Sequence, residues 1–222
     1  MQLIILNDKI NMKKIILTLA VVASVLTACK GEKKEKVETK EEVKVEKLAA
    51  LNNVDTANSV ITWKGTKPTG AHNGVILLNE GSLLIENGTL TGGEFVIDMS
   101  SIKNLDIPAD NDGNAKLVGH LTSADFFDVA TYPTSKFVIT NVEEKEDKLH
   151  VTGNLTIKDV TKSITIPAML SKEGDTTIFK SETFNVDRAD FNVKYASKSF
   201  FDNLKDKFID DMMELSFTVK TK

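Results

Sequence analysis

The chain has 222 residues and a net charge of −4, and its composition already excludes several classes of protein. Its single cysteine rules out an internal disulfide framework. Residues 51–222 hold 18 basic against 25 acidic side chains, which argues against a nucleic-acid-binding protein because such a protein needs a basic surface. The length fits a signal region followed by one domain of about 170 residues.

Residues 1–28 have the pattern of a signal for export. Lys13 and Lys14 precede an apolar run too short to span a bilayer. The run ends in Leu-Thr-Ala-Cys29, which is similar to a bacterial lipobox, so we expect lipid attachment at Cys29 and a true start at Met12. The protein is then expected to be exported and lipid-anchored in the bacterial cell envelope, on the periplasmic or outer-surface side. The alternative is a simple secretory signal in which the cysteine is incidental.

Residues 29–50 are predicted to form the lipidated cysteine and a tether. Lys and Glu dominate from 30 to 47, with isolated Val37, Val43 and Val45. This stretch has too little apolar surface to order itself, so we expect disorder or a transient helix. About 20 flexible residues span roughly 25 Å on average and roughly 70 Å when extended, enough to hold a domain off a membrane.

Residues 51–222 are predicted to form one domain of short strands. Asn87-Gly88 is a strong hairpin signal because both residues accept a positive φ. Apolar and polar residues alternate in the flanking segments, as in a sheet that buries one face. The predicted strands are 54–65, 75–78, 82–86, 89–100, 136–142, 149–158, 163–170, 176–186 and 212–221. Many short strands with frequent turns indicate a sandwich or a barrel.

Two short helices are predicted among these strands. The first, around Leu117 and Leu121, runs into a corner at 120–133 that contains the adjacent Phe126 and Phe127. The second is predicted at 196–209, where Phe200, Phe201, Leu204 and Phe208 recur at helical spacing.

Three ordered motifs resemble the YceI-like family. The corner at 120–133 is similar to the family's H-L-x-S-x-D-F-F-D-x-x-x-Y-P run. Residues 153–162 are similar to its G-x-L-T-I-x-G-V-T-K hairpin, with Asp159 where Gly or Asn is commoner, and 187–191 to its D-R-x-x-F. The resemblance implies a mainly β fold, an antiparallel lipocalin-like β-barrel with one or two short helices near its mouth. It also implies a long apolar ligand of the isoprenoid class inside the barrel.

Apolar residues of the predicted strands and corner are the candidates for contact with this ligand. Inward side chains of a small barrel either fill it or line a cavity, and the sequence leaves both open. The candidate ligand-binding residues from these segments are Trp63, Phe95, Ile97, Phe126, Phe127, Phe137, Ile157 and Phe184.

His72 and Arg188 are polar candidates for the same site. Arg188 is the only arginine of the domain, and its planar guanidinium suits either a structural lock at a strand end or a ligand head group. His72 and His120 are candidates for a ligand or catalytic role, with a hydrogen-bonded rim or turn histidine as the alternative for each. The three histidines show no metal-ligand spacing.

The sequence therefore predicts a membrane-tethered, non-enzymatic carrier of a long apolar lipid, with no cofactor and no metal. No hydrolase nucleophile motif or phosphate-binding loop is present in the sequence. One alternative is a filled barrel that acts as an envelope interaction or stress-response module without a small ligand. Another is an enzyme that uses His72 or His120. The sequence leaves open whether the protein forms a homodimer.

Overall fold

The computed structural model describes residues 35–44 and 53–222. The predicted signal, Cys29 and the rest of the tether lie outside the described residues. Lys34–Lys222 form one compact unit. No helix in the described part is long and apolar enough to cross a membrane. The elements are β1 (Val60–Lys67), β2 (Gly70–Glu86), β3 (Thr89–Asn104), α1 (Asp112–Thr122), β4 (Thr134–Lys145), β5 (Lys148–Ile157), β6 (Val160–Glu173), β7 (Thr176–Ser181), β8 (Phe184–Asp187) and β9 (Met212–Lys220), with 3-10 turns at Thr56–Asn58 and Arg188–Phe191.

The strands form one antiparallel sheet that closes on itself. Strands β1 to β7 follow one another in order, β9 pairs with β7, and β9 also pairs with β1 through Val60↔Thr218 to Lys64↔Glu214. The short β8 pairs with the other half of β9, so β7 and β8 together cover that strand. The predicted fold, a mainly β antiparallel barrel with a short helix near its mouth, is confirmed.

Local sequence explains most of the strand boundaries. Asn87 and Gly88 have φ values of 51° and 82°, as predicted for the hairpin between β2 and β3. Two predictions were wrong in detail. The strands expected at 75–78 and 82–86 are one long strand with register shifts, and the strand expected at 176–186 is interrupted between β7 and β8. A β-bulge bends a strand without ending its pairing with the neighbouring strand. The alternation of apolar and polar residues does not reveal such a bulge.

Only one of the two predicted helices forms. Helix α1 begins after Asn111, whose side chain accepts a hydrogen bond from the Gly113 N–H. Residues 196–209 instead form an irregular loop. Ala196, Asn203 and Lys205 have φ values of 49°, 63° and 52°, in the left-handed region that a right-handed helix does not visit. The helical spacing of apolar residues in that segment therefore does not reflect a helix.

The barrel has a lower and an upper end that differ in their connections. Tight turns join the strands at the lower end, at 87–88, 146–147 and 174–175. The upper end carries the β1–β2 turn, the long β3–β4 connection with α1, and the β8–β9 connection. Large apolar side chains fill the lower half, and the principal ones are Leu83, Leu90, Phe95, Phe137, Ile139, Phe179, Phe217 and Val219.

An N-terminal strap, residues 35–44, lies along the seam between β6 and β8. The predicted disorder or transient helix is wrong for these ten residues. The Val37 N–H donates to the Asn185 carbonyl of β8, and Lys40 exchanges two backbone hydrogen bonds of 2.9 Å with Ser163 of β6. β7 pairs with β6 only from Ala168 onward, so the strap completes a part of the wall that the other strands leave unpaired.

Side chains hold both ends of the strap. Lys36 lies 3.2 Å from Asp187 and 3.3 Å from Asp190. At the other end, the Asn154 side chain accepts from the Val43 N–H at 2.9 Å and donates to the Val43 carbonyl at 2.6 Å. The apolar side chain of Val37 packs on the core. Lys and Glu composition alone predicted disorder because it does not reveal such specific partners.

Replacing Asn154 by Ala is expected to release the C-terminal end of the strap. The variant loses two hydrogen bonds to Val43, so we expect faster trypsin cleavage at Lys40 and Lys44 and a free energy of unfolding lower by about 1–2 kcal/mol. The control is Asn141→Ala, because Asn141 is exposed on β4 and donates to Glu143. Equal cleavage rates in the two variants would show that Asn154 does not hold the strap.

Candidate functional site

The upper half of the barrel is hollow. A cavity of about 550 Å³ lies beneath α1 and the β8–β9 connection, and most of its wall is carbon. This volume falls within the range of small-molecule binding pockets. The apolar wall residues Ile61, Ile97, Met99, Leu155, Ile157, Met213 and Leu215 come from β1, β3, β5 and β9. The interior is therefore neither empty throughout nor completely filled.

Seven of the ten predicted ligand-binding residues line this cavity. They are Trp63, His72, Ile97, Phe126, Phe127, Ile157 and Arg188. Phe95, Phe137 and Phe184 do not line it. Contact with a ligand stays a prediction for the seven.

Phe95, Phe137 and Phe184 belong to the filled part of the barrel. Phe95 stacks on Phe179 with ring centroids 6.1 Å apart, and Phe184 meets Phe217 at 6.5 Å. Phe137 lies against Gly153, where a Cβ atom would come within 2.3 Å of its ring. The alternation of apolar and polar residues indicates that these side chains point into the barrel. It does not indicate how far along the barrel axis each one lies, and that position decides whether a side chain fills the lower half or lines the cavity.

Sequence reasoning missed other residues of the wall. They include Ile61, Ile76, Met99, Ile102, Leu117, Leu121, Leu155, Tyr195, Met213 and Leu215. Several share a signal that could have identified them: each lies on the inward face of its strand, in the part nearest the upper end. That signal becomes usable only once the strand register is known.

The corner after α1 forms the roof of the cavity. The Asp128 and Phe126 N–H groups both donate to the Ser123 carbonyl, which turns the chain sharply. Phe126 is buried, and its ring packs against Phe127 with centroids 4.9 Å apart. The His120 ring meets the Tyr195 ring edge-on at 4.4 Å. The adjacent phenylalanines are thus part of the cavity wall, which explains why so apolar a pair occurs in a loop.

Two buried nitrogen atoms of the cavity wall have no hydrogen-bond partner among the described residues. They are Nε1 of Trp63 and Nε2 of His120. The Trp63 ring packs directly on Gly74, where a Cβ would lie 2.7 Å from the ring and 1.8 Å from the Lys103 carbonyl oxygen, so only glycine fits there. An unpaired buried donor is costly, and a ligand oxygen in the cavity could satisfy it.

Arg188 locks the β8–β9 connection. Its side chain is fully buried, and its guanidinium donates to the carbonyl groups of Val193, Ile209 and Asp210 at 2.8, 3.0 and 3.2 Å. An ion pair of 3.1 Å with Asp211 completes the environment. Burial lowers the pKa of Arg188, and the nearby carboxylate of Asp211 opposes that shift. The structural lock, one of the two roles that the sequence allowed, is therefore present, and the same side chain lines the cavity.

His72 lies at the mouth of the cavity and is paired. Its Nδ1 is 2.8 Å from a carboxylate oxygen of Asp106, and the other carboxylate oxygen accepts from the Asn73 N–H. Burial would raise the pKa of Asp106, but hydrogen bonds from Asn73, His72 and Asn104 outweigh it and lower the pKa to about 2. His72 lies in β2 at the rim of the barrel, and this geometry is that of the hydrogen-bonded rim histidine that the sequence left as an alternative.

No cluster of three or more His, Cys, Asp or Glu side chains that could hold a metal ion occurs within residues 35–44 and 53–222. The chemistry that the site does offer is apolar enclosure together with a few hydrogen-bond donors.

Comparisons with known proteins agree with this architecture. The model of the YceI-like domain family matches residues 53–221. Protein YceI of Salmonella arizonae is 46% identical over 56 residues, which is 25% of this chain and 29% of that protein. Protein YceI of Salmonella paratyphi B matches to the same extent. The alignments thus span less than a third of these curated relatives.

Two solved structures share the fold. BcnA of Burkholderia cenocepacia is 20% identical with a TM-score of 0.61, over 76% of this chain and 99% of that one. A polyisoprenoid binding domain from Saccharophagus degradans is 14% identical with a TM-score of 0.55, over 76% of this chain and 96% of that one.

Replacing Arg188 by Lys tests the lock. A lysine cannot reach three carbonyls and Asp211 at once, so we expect the free energy of unfolding to fall by about 3 kcal/mol or more. Lys136→Gln is the control, because its ion pair with Glu94 is exposed and contributes at most about 1 kcal/mol. Chemical denaturation measures both. An Arg188→Lys variant as stable as the wild type would contradict the lock.

Proposed function

Since the chain belongs to the YceI-like domain family, we propose that the protein is a carrier that binds a long apolar lipid of the polyisoprenoid class inside the barrel. The cavity of about 550 Å³ is the observation that supports this proposal most directly. Each buried CH₂ group contributes about 0.8 kcal/mol before ordering costs, so a long chain needs few polar contacts for useful affinity. The polyisoprenoid binding domain from Saccharophagus degradans, which shares the fold, agrees with this ligand class.

The polar atoms of the wall favour a lipid that carries an oxygen acceptor. The unpaired Nε1 of Trp63 can donate to a hydroxyl or carbonyl oxygen, and Nε2 of His120 can donate to or accept from a hydroxyl group according to the tautomer of its ring. The guanidinium of Arg188 is already occupied by three carbonyls and Asp211. The three lysines that line the cavity, Lys64, Lys67 and Lys207, are exposed, so an anionic head group deep in the cavity would lack a free buried cation among the described residues. Burying an unpaired charge is expensive. A neutral head group, as in a polyprenol or a quinone, fits the wall better.

The alternative of a fully filled barrel predicts a packed interior throughout. The upper half does not have one, so the carrier is the better supported of the two. The filled lower half still matters for the carrier, because it gives the cavity a solid floor of stacked phenylalanines.

We also propose that lipid at Cys29 anchors the protein in the bacterial cell envelope. The support is the lipobox-like sequence before the only cysteine of the chain. The strap shortens the tether that this anchor would use, because residues 35–44 lie on the barrel wall. Only residues 30–34 then separate Cys29 from the strap, a reach of roughly 20 Å at full extension. The anchor would keep the barrel close to the membrane.

The cavity proposal predicts that a side chain added to the wall blocks uptake. In Ile97→Trp the indole projects into the cavity and displaces two or three methylene groups of a ligand, so binding of a polyprenol should weaken about thirtyfold. Val96→Trp is the matched control, because Val96 is the neighbouring residue of β3 on the outer face. Fluorescence titration with the polyprenol measures the affinity of both variants. Wild-type protein should bind the polyprenol more tightly than a hydrocarbon of equal length, because only the polyprenol carries a hydroxyl group. Equal binding by the two variants would contradict a ligand in this cavity.

The anchor proposal predicts the N-terminus and location of the exported protein. Intact-mass analysis should find a chain that begins at diacylglyceryl-modified Cys29, and Cys29→Ser should move the protein from the membrane fraction to the soluble fraction because it removes the attachment atom. An unmodified N-terminus elsewhere would refute the anchor and leave the cavity proposal intact.

A further inference from the structure

The loop from 192 to 211, here called the mouth loop, carries an exposed aromatic surface. Tyr195, Phe200 and Phe201 are 41%, 42% and 49% exposed. They account for three of the six exposed large hydrophobic residues in the described part of the chain, and all three fall within seven positions. Isolated exposed apolar residues are normal on a protein surface, but a cluster on one projecting loop needs an explanation.

Charged residues lie around these aromatic rings, and among the exposed charged residues of the mouth loop lysines outnumber aspartates. The exposed charged side chains of the mouth loop are Lys194, Lys198, Lys205, Lys207, Asp202 and Asp206. Their net charge is +2, whereas residues 51–222 together carry −7. Lys194 lies 5.0 Å from the ring centroid of Phe200, and Lys198 lies 3.2 Å from that of Phe208. Lysines and aromatic rings thus form one surface.

The base of the mouth loop is fastened, so this surface is held in shape. Arg188 binds the carbonyls of Val193 and Ile209, where the loop begins and ends. The Ile209 N–H donates to the Ala196 carbonyl at 2.9 Å, and Asp211 accepts from the Ser197 hydroxyl. The aromatic tip therefore projects from a rigid base, and a partner would not have to order it.

The mouth loop is also continuous with the cavity. Tyr195, Lys207 and Ile209 belong both to the loop and to the cavity wall. We propose that the mouth loop docks on an anionic lipid bilayer, with Phe200 and Phe201 in the interfacial region and the lysines on the lipid phosphates. This inference rests on the proposed function, because docking there would place the cavity mouth against the membrane that holds its lipid.

The chemistry of the loop favours a bilayer over the alternative occupant, a second copy of the chain. Aromatic and apolar side chains surrounded by lysines are typical of interfacial membrane anchors. Two copies that met through this loop would instead bring their basic residues together, and like charges across an interface are unfavourable. Asp106 and Asp110 precede α1 and Asp112 begins it, and Asp125, Asp128 and Asp159 line a groove with Tyr195 and Phe201. These acidic residues would be repelled by an anionic surface, so contact is expected only through the mouth loop.

The test measures co-flotation with vesicles of phosphatidylcholine containing one part in three of phosphatidylglycerol. It uses the chain beginning at Gly31, which keeps the compact barrel unit and omits Cys29. Each lysine near an anionic surface contributes about fivefold to binding, so Lys198→Gln and Lys205→Gln should each weaken binding about fivefold and the pair about 25-fold. Lys172→Gln, at the lower end of β6, is the control and should leave binding unchanged.

The aromatic contribution has its own matched pair. Phe200→Ser with Phe201→Ser should abolish flotation, whereas Met169→Ser, which removes an exposed apolar residue from the side of the barrel, should not. Thermal melting checks that all variants are folded. Wild-type protein that does not float, or loop variants that float like the wild type, would overturn the proposal. So would self-association that disappears in the Phe200→Ser/Phe201→Ser variant without any flotation.

Polyprenol uptake from detergent separates this proposal from the carrier function. Loop variants that lose flotation but still take up polyprenol support docking as a distinct role of the loop. Protein that floats through the loop but takes up no polyprenol refutes the carrier and leaves docking in place.

Discussion

The pairing of β1 with β9 is the constraint on which the rest of the structure depends. It turns a sheet with two open edges into a tube, and the strand number then sets how wide the interior is. Between β6 and β8 the wall is completed by the strap and not by another strand. Closure of the barrel therefore requires residues from both ends of the compact unit, so half of the strands cannot form the barrel alone.

Within a tube of fixed width, side-chain size decides what is solid and what is hollow. Phenylalanines from β3, β4, β7 and β9 meet in the lower half and fill it. The upper half has mainly aliphatic walls, and the β8–β9 connection above it is held by the buried Arg188 through the carbonyls that the guanidinium binds. A buried, fully paired arginine is an expensive way to hold a loop. Here it holds the β8–β9 connection, which lies over the apolar cavity.

The sequence was sufficient for the fold and for part of the cavity wall. It was not sufficient for features that depend on how far along the barrel axis a side chain lies, or on partners distant in the chain. Alternation identified Trp63 and Ile97 as inward, and both line the cavity, yet the same pattern placed Phe95 and Phe137 there and they belong to the plug. Helical spacing at 196–209 predicted a helix, whereas the loop uses those aromatic residues on its surface. The Lys and Glu composition of 35–44 gave no sign of Asn154 and Ser163, which hold the strap from more than 100 residues away.

Lipid recovered from the protein itself tests the central claim most directly. Protein purified from its own cells without added lipid, then extracted with organic solvent and analysed by mass spectrometry, should release one long-chain lipid per chain, and Ile97→Trp should release much less. Repeated recovery of wild-type protein with no stoichiometric lipid, and with no uptake of added polyprenols or quinones, would contradict the account.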